Sequence, residues 1–382
     1  MTDRGLPDAG TIEAVLASHE GAWAAGTRVL SVRDLSPGLG QAVVLGVSTA
    51  APDGHPSRWI VKIPGGGHRS LLDSRDGRLD RREARFFGSA IPAALPRGLA
   101  TPPDATVVRH DGRVWMVMRD IGAALHRPWT PAAATTAALR TVLLYVPGAL
   151  DPGLLDAPWL ERDGHAAYTH HVPAGHDNLD ALAHEPRLKA LFTRRQIHAL
   201  HTCLDAAAEL NSRAATLPST LVHGDLTPRN AGLDTDGALV LIDWEHVGVG
   251  PVGFDLGTFV SLYRVFGGHG ELDEQALLEE YGRALSDLAG TELRHPAALG
   301  FATAHLTWGL HLRLGPGLTA VRQGFHSENP GELSAHLDDI RSGCLRALSW
   351  APAAGVAAAG VAAAGVAAAG VAARGGSGLR ET

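Results

Sequence analysis

Two stretches, Leu221-Val-His-Gly-Asp-Leu-Thr-Pro-Arg-Asn-Ala-Gly-Leu233 and Leu239-Val-Leu-Ile-Asp-Trp-Glu245, restrict what this chain can fold into more than any other part of it. Asp234-Thr-Asp-Gly237 between them is a turn sequence of the kind that joins antiparallel strands. Ala231–Leu233 and Ala238–Ile242 are therefore expected to form a hairpin, with the start of one strand beside the end of the other. Asn230 and Asp243 then meet at its open end, and Asp225, read as a buried carboxylate, lies just upstream. Oxygen donors gathered in this way suit Mg²⁺ bound to a nucleotide phosphate.

The arrangement resembles the catalytic and metal-binding loops of the aminoglycoside phosphotransferase family, the small-molecule branch of the kinase-like fold. That family's pattern is His-Gly-Asp, four residues, Asn, then Ile-Asp-Trp or Ile-Asp-Phe. It stands here as His223, Gly224, Asp225, Asn230, Ile242, Asp243 and Trp244. Gly224 is where protein kinases usually carry Arg, and Thr227 is where many family members have His. The resemblance implies an α+β, bilobal, protein-kinase-like fold with a small β-rich N-terminal lobe and a larger, mainly helical C-terminal lobe. It also implies transfer of the γ-phosphoryl group of ATP (or GTP) to a hydroxyl of a small molecule. Asp225 would be the catalytic residue, accepting or orienting the hydroxyl proton, and Asn230 and Asp243 would hold Mg²⁺.

Such a reaction needs parts upstream. Apolar runs at Val29–Leu35 and Ala42–Val47 flank Ser36-Pro-Gly-Leu-Gly-Gln41, so Gly38 and Gly40 are candidates to lay backbone over phosphates. An ordinary hairpin turn would have the same sequence. In Arg58-Trp-Ile-Val-Lys-Ile-Pro64, alternation puts Lys62 on the face of Ile60, where a buried ammonium requires a negative partner. Glu83, on a predicted helix whose core face is marked by Phe86 and Phe87, fits the helical carboxylate that pairs with the strand lysine in the family; Asp80 or Asp73 are alternatives. Arg81, Arg82 and Arg85 are expected on the solvated face of that helix. Ala105–Met118 reads as a hairpin turning at Asp111-Gly112. Its second strand runs through Met118 into the junction that, in the family, receives the adenine ring on its backbone, so Met118 joins the nucleotide-site candidates and the lobe boundary falls near Ile121.

With 382 residues the chain can bury a large core in two lobes, expected at 1–121 and 122–350. Its net charge of −7 argues against a nucleic-acid partner. Cys203 and Cys344 lack metal-ligand spacing and read as buried free thiols, and the N-terminus has no signal-peptide form, so a cytoplasmic protein is expected. From about Ala123 the texture is helical, with predicted helices at 195–210, 271–288, 296–314 and 331–348. The histidines at 170, 171, 198, 201, 305 and 311 offer no third ligand at zinc spacing. Asp255, opening a helix after a glycine-rich loop, is placed to receive backbone N–H groups or brace the catalytic loop, while Trp308 is either core or acceptor-pocket lining. Acidic residues around Glu271–Glu280 read as a solvated helix face that would also suit a cationic acceptor.

Residues 351–382 are expected to be a disordered tail built on a Gly-Val-Ala-Ala-Ala repeat; alanine and glycine make it a poor membrane anchor. The partner is thus expected to be a small hydroxyl acceptor, with neither nucleic acid nor membrane, for a monomer or homodimer. Within the family an antibiotic acceptor is favoured by the Ala/Gly/Arg/Pro-rich composition, which suggests a high-GC genome. A metabolic sugar or amino-alcohol kinase is the alternative. A nucleotide-binding pseudokinase regulator is a reading of another class, which the intact Asp225, Asn230 and Asp243 set opposes.

Overall fold

The computed structural model describes residues 6–18, 26–36, 42–64, 79–122, 129–146, 152–324 and 329–356. Gly38, Gly40 and the tail beyond Val356 lie outside the described residues. The chain divides into two compact units. One comprises Met1–His126, Gly148–Leu160 and Asn230–Val247; the other comprises Arg127–Pro147, Glu161–Arg229 and Gly248–Thr382. The hairpin bearing Asn230 and Asp243 therefore groups with the N-terminal residues.

The strands among the described residues are β1 (Arg28–Asp34), β2 (Val43–Ala50), β3 (Pro56–Ile63), β4 (Leu99–Ala100), β5 (Thr106–His110), β6 (Arg113–Arg119), β7 (Ser219–Val222), β8 (Ala231–Leu233), β9 (Leu239–Leu241) and β10 (Gly248–Pro251). In the first unit, β1-β2-β3-β6-β5 form one antiparallel sheet. The strict alternation of β2 sends Val43, Leu45 and Val47 to one face, where they pack with Trp59, Val61, Trp115 and Val117 beneath Ile12, Val15 and Leu16 of the Ala9–Ala17 helix. The opposite face carries Ile60, Met116 and Met118, packed with Ala84 and Phe87 of the Leu79–Phe87 helix. Lys62 lies opposite Val44 on one side and Met116 on the other, so it shares that second face. The β5–β6 turn is Asp111-Gly112 as expected, with φ of 48° and 72°. These mirror-image values match the twist of a two-residue hairpin.

β8 and β9 pair as the expected hairpin, and β4 runs parallel beside β9. Asp234 builds the turn, its carboxylate accepting from the Asp236 and Ala238 N–H groups at 2.9 and 2.8 Å. The ladder continues past the strand end through Ile242 N–H to the Asn230 carbonyl at 3.0 Å, which fixes Asn230 and Asp243 at one end of the hairpin.

The second unit is mainly helical, with β7 and β10 paired antiparallel. The predicted 195–210 helix is two consecutive ones, Arg194–Asp205 and Ala207–Ala214. Thr193 and Gln196 start the first with reciprocal capping bonds of 3.3 and 2.9 Å. The predicted 296–314 helix is α-helical over Arg294–Ala304 and again over Leu310–Leu312, with wider five-residue turns at His305–Gly309 and Arg313–Gly317. Pro316 has no N–H for a regular ladder, which accounts for the second of these. The core joins Leu179, Leu200, Leu204, Leu306, Leu310 and Leu348, together with both free cysteines, Cys203 and Cys344. Burial pushes each thiol up to about 12, so they pack as small apolar groups. Trp308 is buried edge-on against Tyr168, with ring centres 4.2 Å apart. No helix of the described residues is long and apolar enough to cross a membrane.

Candidate active site

In the first unit the candidate residues converge on Lys62. Its stem lies along the second face of the sheet, and its Nζ donates to Glu83 Oε2 at 2.5 Å and to Asp243 Oδ1. Glu83 thus takes the partner role for which Asp80 and Asp73 stood as alternatives. Lys62 and Glu83 are only 9% and 3% exposed, so each charge depends on the other. Burial by itself would lower the Lys62 pKa, but the charges of Asp243, Glu83 and Glu245 outweigh it and hold the ammonium well above the usual lysine value. Burial also pushes the Glu83 carboxyl up, with Lys62 opposing the rise. The outer Glu245 carboxylate stands 3.9 Å from Lys62 Nζ and 3.6 Å from His246 Nε2.

Asp243 follows β9 with φ 65° and ψ 56°, a left-handed conformation that aspartate tolerates better than most residues. The next residue locks it in place. The Trp244 N–H donates to Glu83 Oε1 at 3.2 Å, its Nε1 donates to the Leu241 carbonyl at 3.0 Å, and its ring stacks on Phe86 at 4.2 Å. The Leu79–Phe87 helix therefore contributes both the lysine's partner and the platform for the Asp243–Trp244 turn. Met118, opposite Ile60, presents its side chain on the Lys62 face, while its neighbours Arg119 and Asp120 donate their N–H groups to the Pro103 and Arg58 carbonyls.

Arg82 departs from the sequence expectation. Far from lying on a solvated face, it is 2% exposed and donates to the Trp159 carbonyl at 3.1 Å and the Glu245 carbonyl at 3.2 Å. Arg85 is exposed, as expected.

In the second unit β7 delivers the chain to His223-Gly-Asp225. Asp255, in the first turn of the Phe254–Ser261 helix, accepts from the His223 N–H at 2.6 Å and the Gly224 N–H at 3.2 Å. It is the brace that its sequence position allowed. Gly224 has φ 79°, which a side chain would oppose. Asp225, expected to be buried, is half-buried: its N–H donates to His223 Nδ1 at 3.4 Å, and its side chain retains access to solvent. Burial pushes the Asp255 carboxyl up to about 7, with the two N–H donors opposing and Asp225 adding to the rise. The loop is further held by Trp129, whose Nε1 donates to the Pro228 carbonyl at 3.0 Å. Sequence reasoning missed Trp129, because an indole that anchors a distant carbonyl has no local pattern.

The family model described as the phosphotransferase enzyme family matches residues 47–297. A search of curated proteins returns no match. Among solved structures, the chain is similar to an aminoglycoside phosphotransferase from Alicyclobacillus acidocaldarius, at 12% identity and TM-score 0.48 over 87% of this chain and 96% of that one. A macrolide 2′-phosphotransferase from Brachybacterium faecium is similar at 15% identity and TM-score 0.42, over 88% and 97%. A choline kinase from Streptococcus pneumoniae is similar at 14% identity and TM-score 0.43, over 83% and 94%. With more than half of its length matched by the family model, and with the α+β construction described above, this chain belongs to the phosphotransferase enzyme family.

Proposed function

We propose that the protein transfers the γ-phosphoryl group of ATP or GTP to a hydroxyl of a small molecule. The observation that carries the reading is the buried Lys62 ammonium held between Glu83 and Asp243. A fixed, desolvated positive charge beside carboxylates suits the phosphate oxygens of a metal-bound nucleotide. In this reading Lys62 neutralises phosphate oxygens, and Glu83 keeps its ammonium aimed. The Met118 strand end and the backbone beyond it receive the base.

Asn230 and Asp243 offer the hard oxygen donors that Mg²⁺ prefers. Among the described residues no group of three or more His, Cys, Asp or Glu is arranged to hold a metal ion, and Mg²⁺ characteristically takes one or two protein ligands together with phosphate. Bound there, Mg²⁺ would draw charge from the phosphate oxygens. Asp225 accepts or orients the acceptor's hydroxyl proton, and its solvent access leaves room for that hydroxyl. Asp255 holds the His223–Gly224 backbone, so Asp225 is presented at a fixed angle. Little covalent work falls to the protein in such a reaction; positioning and charge stabilisation carry the rate.

The test is to incubate the purified protein with Mg²⁺ and ATP or GTP and a panel of hydroxyl-bearing antibiotics, sugars and amino-alcohols, following the mass of each acceptor. The expected result is a gain of one phosphate on one class, lost in Asp225→Ala. A gain on sugars or amino-alcohols alone would favour the metabolic alternative over an antibiotic acceptor. Full turnover by Asp225→Ala would overturn the assignment of the base.

A further inference from the structure

Arg82 and Glu83 are adjacent on one helix, and each grips a different peptide unit downstream of Asp243. Glu83 Oε1 accepts from the Trp244 N–H at 3.2 Å, and Arg82 Nη1 donates to the Glu245 carbonyl at 3.2 Å. The same guanidinium donates through Nε to the Trp159 carbonyl at 3.1 Å, so its plane is fixed from two sides. Asp243, immediately before these two residues, has the left-handed backbone with φ 65° and ψ 56°. Aspartate tolerates this conformation better than most residues, but it is still uncommon, and here the contacts of the two following residues hold it. Phe86 and Leu241 fix the Trp244 ring, but the described contact to the Glu245 carbonyl comes from Arg82. Through these two bonds the buried guanidinium ties the Trp159 and Glu245 backbones to one helix, which restrains the chain just after Asp243.

We infer that Arg82 is a positioning residue for the metal and nucleotide site. By holding the Glu245 carbonyl it maintains the left-handed turn at Asp243, and so the direction in which the Asp243 carboxylate is presented. What that carboxylate is presented to rests on the phosphotransferase reading above; the backbone restraint does not. Its contact with the Glu245 carbonyl is the route by which Arg82 acts on Asp243.

The test compares the full-length parent with Arg82→Met and Arg82→Lys. The first readout is amide hydrogen exchange without ligand. Arg82→Met is expected to speed exchange selectively at 243–247, with the strands β2, β3 and β6 unchanged and Arg82→Lys in between, because lysine can still donate to one carbonyl. The second readout is the Mg²⁺ concentration that half-saturates binding of a fluorescent ATP analogue. It is expected to rise about 10- to 100-fold in Arg82→Met, the usual cost of removing a group that orients a metal ligand.

Binding in the parent with an unchanged Mg²⁺ requirement in Arg82→Met would overturn the inference and leave the phosphotransferase reading standing. So would faster exchange spread evenly over the whole unit, the mark of a merely structural residue. A parent that binds no Mg²⁺-nucleotide would count against the phosphotransferase reading instead, and the exchange comparison would still decide whether Arg82 holds the turn. Should Arg82→Met fail to fold, Arg82→Lys carries both readouts.

Discussion

Asp225 and Asp255 are two carboxylates on one loop assembly with opposite surroundings, and their variants should behave differently. Asp225 keeps solvent access and is the proposed base, so Asp225→Asn is expected to lower kcat by about 10²- to 10⁴-fold, the range for a positioned general base. Nucleotide affinity, measured by equilibrium titration, should be unchanged; a parallel loss of nucleotide binding would mean that Asp225 serves the nucleotide and not the acceptor. Asp255 is buried, and burial lifts its carboxyl from 3.8 to about 7. In the unfolded chain the group ionises near 3.8, so between about pH 4 and 7 the folded state binds more protons than the unfolded one. The stability linked to Asp255 is therefore fully present below that window and is lost as pH rises through about 7. Melting temperatures across the window should fall more steeply for the parent than for Asp255→Asn, which cannot ionise. Parallel curves would show that Asp255 does not titrate in this way.

The Asp-Gly and Asp-Thr-Asp-Gly turns gave the β5–β6 and β8–β9 hairpins directly from residue type, because positive φ and side-chain turn bonds leave a local signature. Lys62 was legible for a similar reason: a charge in the middle of an apolar strand needs a partner, and Glu83 is there. Arg82 was not legible, since its bonds to the Trp159 and Glu245 carbonyls are ones that any residue at those positions could accept. The wide turn at His305–Gly309 was hidden as well, because Leu306 and Leu310 keep a four-residue apolar spacing across it, whereas Gly315-Pro316-Gly317 marks the second one. Gly253 shows how much one backbone position can carry. It has φ 82° and opens the Phe254–Ser261 helix, and a Cβ there would run into the Ala297 carbonyl. Gly253→Ala combines left-handed strain with a backbone clash, so a loss of order 1–3 kcal/mol is expected in urea unfolding. A cost of only a few tenths would mean that the turn relaxes freely and does not fix Asp255.

Across the whole chain the repeat that begins at Gly355 invites the view that everything after residue 350 is dispensable, yet its first unit closes the fold. Gly355 has φ 70°, its N–H donates to the Pro352 carbonyl at 2.9 Å, and the Val356 N–H donates back to the Ala351 carbonyl at 2.9 Å. That paired geometry is the glycine stop of a helix, with the residue after the glycine tucked against the preceding turn. Ala351, Ala354 and Val356 are buried in the same core as Leu348, so the core includes residues past the boundary expected at 350. Ending the chain after Val356 keeps this stop and its buried residues and is expected to keep the melting temperature. Ending it after Trp350 removes the stop and the burial of Val356, worth about 1.5–3 kcal/mol for a side chain of this kind. Gly355→Ala in the full chain should fall between the two, since the left-handed turn costs an alanine about 1–2 kcal/mol. Thermal melts of the three variants measure the ordering. Equal stability of the two truncations would place the end of the core at Trp350 and remove the stop from the fold.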